Sequence, residues 1–157
     1  MLLTTILIGI AAGFISGMVK IGWEAILPPR SQARDETNPP QQLLQQMGVP
    51  RRITHAYVYY SKDQKVHYVA LILHFSFSIF FAVLFALTYK TLPIVGLWQG
   101  SLYGIIIWVA FHIILMPLLK TVPSPVKQPF PEHFSEFFGH IVWSWTIYLV
   151  VVALLGQ

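Results

Sequence analysis

Three histidines, each in a different hydrophobic segment, are the residues whose type and placement best suit chemistry. They are His74, His112 and His140, and the segments that carry them must alternate in direction if they cross a bilayer. At about 1.5 Å of helix rise per residue, all three lie roughly 9–12 Å from the same side of the membrane. Ionisable residues are rare inside a bilayer and usually mark a functional site. The spacing therefore predicts one layer of histidines at a common depth.

Charged residues are spaced so that they can join this layer. Glu136 lies four residues before His140, and Lys20 and Glu24 have the same separation, so each pair can make contact along one helix face. Imidazole titrates near neutral pH, so these residues are candidates for a proton or small-ion site that responds to pH. Hydrogen bonding between helices, without any further role, explains the same residues equally well.

A metal or haem site is a third interpretation of the histidines. Neutral imidazoles beside a carboxylate suit a divalent metal, and two histidines on facing helices can ligate haem iron. The candidate ligands are His74, His112 and His140, but no segment carries two histidines at the spacing of an HxxxH pair. The chain has no cysteine, which excludes disulfides and thiolate metal sites. We therefore expect no cofactor, with haem or a divalent metal as the alternative.

Composition indicates a membrane protein. Hydrophobic residues make up 55% of the 157-residue chain and charged residues 10%, whereas soluble domains have about 45–50% and about 25%. The length indicates a single domain. The net charge of +4 does not indicate nucleic-acid binding, because the basic residues gather in one membrane-flanking loop.

Four segments are apolar enough to cross a bilayer as helices, which takes about 20 residues each. They cover roughly residues 2–23, 66–89, 94–119 and 134–155, in a single transmembrane domain of residues 1–157. The connection at residues 25–65 is polar and contains two proline pairs, which predicts a long loop with a short surface helix at 41–47. The predicted fold is an all-α polytopic membrane protein, a bundle of four transmembrane helices with a long polar loop between helices one and two.

The basic residues predict the orientation of the bundle. Most of them lie in the first loop and the third connection, whereas the opposite side has only Lys90. Because positively charged loops stay in the cytoplasm, we expect the long basic loop inside and both termini outside the cytoplasmic membrane. The loop arginines are also expected to bind anionic lipid headgroups, and they are Arg30, Arg34, Arg51 and Arg52.

Glycines recur at every fourth position in the first and third segments. One stripe is Gly9, Gly13 and Gly17, and the other is Gly96, Gly100 and Gly104. Small residues at this spacing let two helix backbones approach closely. Each stripe is therefore predicted to pack either within the chain, for example the two segments against each other, or against a second copy as a homo-oligomer seam.

The first 40 residues carry a distinctive pattern. The glycine-spaced stretch Gly13–Glu24, which contains Lys20, is followed by Pro-Pro-Arg in Leu27–Arg30 and by Asn-Pro-Pro in Asn38–Pro40. This pattern resembles the YagU-like family of bacterial inner-membrane proteins, and the multi-helix layout is similar throughout. The resemblance implies a bacterial inner-membrane location. It implies no reaction, substrate or cofactor, because none is established for the family.

The sequence contains no nucleophile elbow, P-loop, HExxH motif or Rossmann fingerprint, so an enzymatic function is not favoured. Three hypotheses remain open. The first is a protein that binds or moves protons or small ions through His74, His112, His140 and Glu136. The second is a haem- or metal-binding protein in electron transfer. The third is an accessory or scaffold subunit that docks onto a larger membrane complex.

Overall fold

Four long apolar helices form the bundle that the sequence predicts. In the computed structural model, which describes residues 1–156, they are α1 (Leu2–Ile26), α5 (Tyr68–Tyr89), α6 (Ser101–Leu118) and α7 (Phe130–Leu155), numbered in chain order with the shorter helices given below. Each has the length and hydropathy needed to cross a bilayer. The prediction of a helical polytopic fold with four spanning helices is confirmed at this level.

The connection between α1 and α5 is ordered, which corrects the expectation of a long loop interrupted only by one short helix. It contains α2 (Gln32–Asp35), α3 (Pro39–Gln46), α4 (Arg51–Thr54) and an antiparallel hairpin of β1 (Val58–Ser61) and β2 (Gln64–Val66). Helices this short are stable only through tertiary contacts. Here the side-chain amide of Gln41 donates to the carbonyl oxygen of Thr54 at 2.6 Å, which joins α3 to α4.

Helix α3 begins at the second proline pair, two residues before the short surface helix that the sequence predicts at 41–47. Asn38 caps it: the Asn38 side chain accepts a hydrogen bond from the backbone N–H of Gln41 (2.9 Å), and the Gln41 side chain accepts from the N–H of Asn38 (3.0 Å). Proline is tolerated in the first turn because the backbone N–H there has no intrahelical acceptor. The pair Pro39-Pro40 therefore starts a helix instead of preventing one.

Two boundaries of the spanning helices differ from the predicted ones for local reasons. Helix α6 begins at Ser101, not near residue 94, because Trp98, Gln99 and Gly100 have left-handed backbone (φ 53°, 57° and 85°) that a helix cannot contain. The residues before them form a 3₁₀ turn at Pro93–Gly96. Helix α7 begins at Phe130, four residues earlier than predicted, because its proline lies in the first turn.

The glycines of α1 pack against α5, not against α6. A Cβ atom built on Gly9 would lie 2.6 Å from the Val83 Cα, and one on Gly13 would meet the backbone of Ile79. Helix α6 packs instead against α7, where Gly104 lies against His140 and Ser144. The suggested pairing of the first and third segments is therefore wrong. The α1 stripe is covered within the chain, so it leaves no free seam there for a second copy.

Aromatic side chains fill the space between α5 and α6, whose backbones stay apart. The Phe111 ring lies edge-on to Phe77 and Phe81, at centroid distances of 5.0 and 5.4 Å. Nearer the opposite end, the Tyr103 hydroxyl donates to the Phe81 carbonyl at 2.8 Å. Bulky rings therefore hold the two helices apart in the middle of the bundle, and the space toward the polar connections is left partly open.

Candidate functional site

A cavity of about 140 Å³ lies among the four spanning helices, on the side of the polar connections. All six residues that the sequence analysis assigned to a proton or ion site line it, namely Lys20, Glu24, His74, His112, Glu136 and His140. Its walls also include Arg30, which follows α1, and the Asn38–Pro40 segment that begins α3. The tertiary structure thus brings one titratable layer together from four helices and closes it with the first connection.

The acidic centre of the cavity is Glu136, one turn before His140 on the buried face of α7. The Lys20 ammonium lies 2.6 Å from the Glu24 carboxylate and 3.4 Å from that of Glu136. The Arg30 guanidinium donates to Glu136 at 2.7 Å. Three of these side chains, Lys20, Arg30 and Glu136, are nearly buried. The two cationic partners of this buried carboxylate offset the free energy that it costs to remove the charge from water.

Two of the three histidines have one ring nitrogen committed to the backbone. The Nε2 atom of His74 lies 2.9 Å from the carbonyl oxygen of Gly17, and the Nδ1 atom of His140 lies 2.7 Å from that of Glu136. A carbonyl oxygen can only accept, so each of these nitrogens carries the proton. The other nitrogen of each neutral ring is then a hydrogen-bond acceptor.

The third histidine, His112, is fully buried, and neither its Nε2 atom nor the side-chain oxygen of the neighbouring Gln128 makes a hydrogen bond of normal geometry among residues 1–156. It lies in a π-helical stretch of α6, Val109–Leu115, which directly precedes the turn containing Pro117. Proline supplies no N–H to the preceding turn, and π-helical insertions frequently occur at functional sites. The ring stacks on Trp108 (centroids 6.1 Å apart) and lies edge-on to His133 (5.7 Å).

Arg30 and Arg34, which the sequence predicts as ligands of lipid headgroups, each pair with a carboxylate of α7 in the structure. Arg30 binds Glu136, and Arg34 makes a two-pronged contact with Glu132, a carboxylate that is fully buried. The Nε atom of Arg30 also lies 3.8 Å from the Glu132 carboxylate. Both arginines therefore tie the first connection to α7, whereas Arg51 and Arg52 remain exposed.

Several residues of the site were missed because α7 was predicted to start at residue 134. Glu132 then fell outside the predicted helix, although it lies in the first turn. The indole N–H of Trp23 donates to the Ser135 carbonyl at 2.9 Å, and the Ser135 hydroxyl donates to that of Leu27. The proline at the helix start, which precedes the acidic residue, is the signal that could have placed them.

Serine and tryptophan side chains separate the cavity from the apolar core. The Trp143 indole donates to the Ser78 hydroxyl at 2.7 Å, and that hydroxyl donates to the Gly13 carbonyl at 2.7 Å. Both side chains are buried and line the cavity. Both side chains therefore have hydrogen-bond partners within the bundle, and they form the end of the cavity that faces the apolar core.

The residues predicted as metal ligands do not assemble into a metal centre. Within residues 1–156 there is no group of three His, Cys, Asp or Glu side chains arranged to hold a metal ion. His74 directs a ring nitrogen at a backbone carbonyl, and His140 does the same.

Comparisons with known proteins place the chain in a family. The model of a family described as "Protein of unknown function (DUF1440)" matches residues 14–149. The Inner membrane protein YagU of Escherichia coli (strain K12) is 32% identical to this chain over an alignment 166 positions long. The alignment covers 91% of this chain and 80% of the E. coli protein. No solved structure matches the chain. With its four spanning helices, this chain is a multi-pass bacterial inner-membrane protein that belongs to the YagU-like DUF1440 family.

Proposed function

We propose that this protein binds protons or small ions within the membrane and responds to pH through the cavity lined by His74, His112, Glu136 and His140. One observation carries the proposal: His112 is buried beside this cavity with a ring nitrogen that has no hydrogen-bond partner among residues 1–156. An unsatisfied buried polar atom costs free energy. A water molecule or small ion bound in that cavity would give the atom a partner.

The size of the cavity supports a small occupant. Pockets for cofactors and drug-sized ligands measure about 300–1,000 Å³, whereas this cavity is about 140 Å³. At about 30 Å³ per water molecule it has room for a few waters or a hydrated ion. The geometry therefore gives less support to haem than to protons or small ions.

Charged and titratable groups face His112 from every helix that borders the cavity, and they set how it responds to a proton. Helix α7 contributes His133, Glu136 and His140, α1 contributes Lys20 and Glu24, α5 contributes His74, and the first connection contributes Arg30. The formal charges of the two acids and two bases cancel. A proton bound at His112 would thus add one net positive charge to a neutral cluster.

Tryptophan fluorescence tests proton binding directly, because Trp108 stacks on His112 and a protonated imidazole quenches indole emission. The wild-type protein in detergent should lose fluorescence as pH falls, and His112→Leu should reduce that loss to the part that comes from His133 beside Trp108 and His140 beside Trp143. The control His67→Leu, which changes an exposed histidine at the start of α5, should retain it. A pH profile that is identical in wild type and His112→Leu would overturn the assignment of His112.

Flux across a membrane tests whether the bound proton moves. Proteoliposomes loaded with a pH-sensitive dye should show faster proton entry than protein-free liposomes, and His112→Leu should return the rate to background. Thermal unfolding provides the folding control, and the variant should be no less stable, because leucine removes the unsatisfied nitrogen. If wild type shows neither flux nor a fluorescence step, an accessory role in a larger complex becomes the better hypothesis.

We also propose that the two polar connections face the cytoplasm. They lie at the same end of the bundle, since the Gln42 side chain donates to the Lys120 carbonyl at 3.4 Å. Most basic residues of the chain belong to this end. The positive-inside rule then orients the end inward and the turn near Lys90 outward.

A further inference from the structure

A second and larger cavity, of about 480 Å³, lies outside the bundle between the first connection and the segment that joins α6 to α7. Four of its lining side chains are cationic, and only Glu36 among the lining residues is acidic. The cationic residues are Arg30, Arg34, Arg51 and Lys120. They come from parts of the sequence up to about 90 residues apart, so only the folded chain collects them.

The four cationic side chains differ in how many carboxylates they contact and in how exposed those ion pairs are. Arg30 and Arg34 form the inner wall and bind Glu136 and Glu132 behind it. Arg51 lies 3.5 Å from Glu36, but both side chains are mostly exposed, at 65% and 70%, so water competes strongly with this pair.

Lys120 has no carboxylate within ion-pair distance in the described part of the chain. The outer rim formed by Arg51 and Lys120 therefore has positive charge available for a ligand.

The walls of this cavity are held in place by hydrogen bonds. The side-chain amides of Gln42 and Gln46 each donate to the Lys120 carbonyl at 3.4 Å, which fixes a residue with left-handed backbone (φ 56°). On the facing wall, the Thr37 hydroxyl and the Nε2 atom of His55 lie 3.0 Å apart. Preformed walls reduce the entropy lost when a ligand binds.

We propose that this cavity binds a phosphate-bearing anion. Arginine guanidinium groups match the geometry of phosphate oxygens, and Arg51, which has only one exposed carboxylate partner, keeps N–H donors for a ligand. The volume falls in the usual range for small-molecule sites, about 300–1,000 Å³, and exceeds what inorganic phosphate needs. The position at the end of the spanning helices allows two sources of the group, an anionic lipid headgroup or a soluble phosphate compound.

Inorganic phosphate is the first probe, titrated into the detergent-solubilised protein at constant ionic strength while thermal unfolding is followed. Phosphate should raise the unfolding temperature of wild type more than chloride does. The double variant Arg51→Gln/Lys120→Gln should weaken the apparent affinity about tenfold or more. The control Arg52→Gln/Lys127→Gln removes the same charge from neighbouring exposed positions that do not line the cavity, and its affinity should stay within about twofold of wild type.

Native mass spectrometry distinguishes the two sources, with the protein in detergent micelles doped with phosphatidylcholine or phosphatidic acid. A retained phosphatidic acid adduct that Arg51→Gln/Lys120→Gln loses identifies a lipid headgroup. A phosphate response without such an adduct identifies a soluble ligand, and either result supports the site. The proposal fails if neither probe binds, or if the control variant loses as much affinity as the cavity variant, since general surface charge would then explain binding.

Discussion

At the scale of single residues, the site depends on buried and half-buried charges that are matched across α1, the first connection and α7. Lys20, Arg30 and Arg34 face Glu24, Glu132 and Glu136, so the formal charges cancel. Breaking one member of such a buried set leaves its partner charged and desolvated. These pairs therefore hold the connection on the bundle, and they do so at the wall that the two cavities share through Arg30.

We predict that Glu132→Gln lowers the free energy of unfolding by about 1.5–3 kcal/mol, because Arg34, which is about one-third exposed, loses its charged hydrogen-bond partner. The matched control is Glu36→Gln, which breaks the exposed pair with Arg51 and should cost less than about 1 kcal/mol. Denaturant unfolding in detergent measures both. Equal losses for the two variants would contradict the difference in burial on which the prediction rests.

At the scale of helices, the close approach of α1 and α5 determines how the site is assembled. Gly13 lets the backbone of Ile79 come near, and the same approach places Ser78 within 2.7 Å of the Gly13 carbonyl. One turn further along α1, the carbonyl oxygen of Gly17 accepts a hydrogen bond from the His74 side chain at 2.9 Å. The glycine stripe therefore positions both a histidine of the cavity and the serine that closes it.

We predict that Gly13→Ala destabilises the protein by about 1–3 kcal/mol, because the added Cβ meets backbone atoms that cannot move aside. Gly22→Ala is the control in the same helix. No atom lies within 4 Å of a Cβ built at Gly22, and alanine favours helix over glycine by up to about 1 kcal/mol. Thermal unfolding should thus shift in opposite directions for the two variants, and a shift of the same sign would argue against the packing.

At the scale of the whole molecule, the titratable residues of the inner cavity lie at the end of the bundle that carries the two polar connections. Both connections contact each other there, and the larger cavity lies between them. Access to the inner cavity depends on which side of the membrane this end faces. The proposed orientation makes it the cytoplasmic side.

The absence of cysteine makes this orientation easy to test. Single substitutions Tyr60→Cys, in the exposed hairpin, and Lys90→Cys, in the turn after α5, provide one label site at each end. A membrane-impermeant maleimide should label Lys90→Cys in intact spheroplasts and Tyr60→Cys only after permeabilisation, because the basic end stays in the cytoplasm. The reverse pattern would invert the topology and leave the fold unchanged.

Much of this architecture could be predicted from local features of the chain. The four spanning helices follow from runs of apolar residues as long as the bilayer is thick. The common depth of His74, His112 and His140 follows from helix rise, and all three line one cavity. The ends of helices were harder to predict from the sequence, because proline and glycine occur both inside loops and at helix starts. Pro39-Pro40 begins a helix, and Gly100 directly precedes one.

The membrane class, the helical fold and the list of titratable residues depend on composition, length and spacing, so they can be read from the chain alone. Which helices pack together and which charges pair depends on three-dimensional packing. Helices that are apolar nearly all round carry no signal of the face that turns inward. Arg30 and Arg34 find Glu136 and Glu132 across 106 and 98 residues of chain, a separation at which only packing brings charges together.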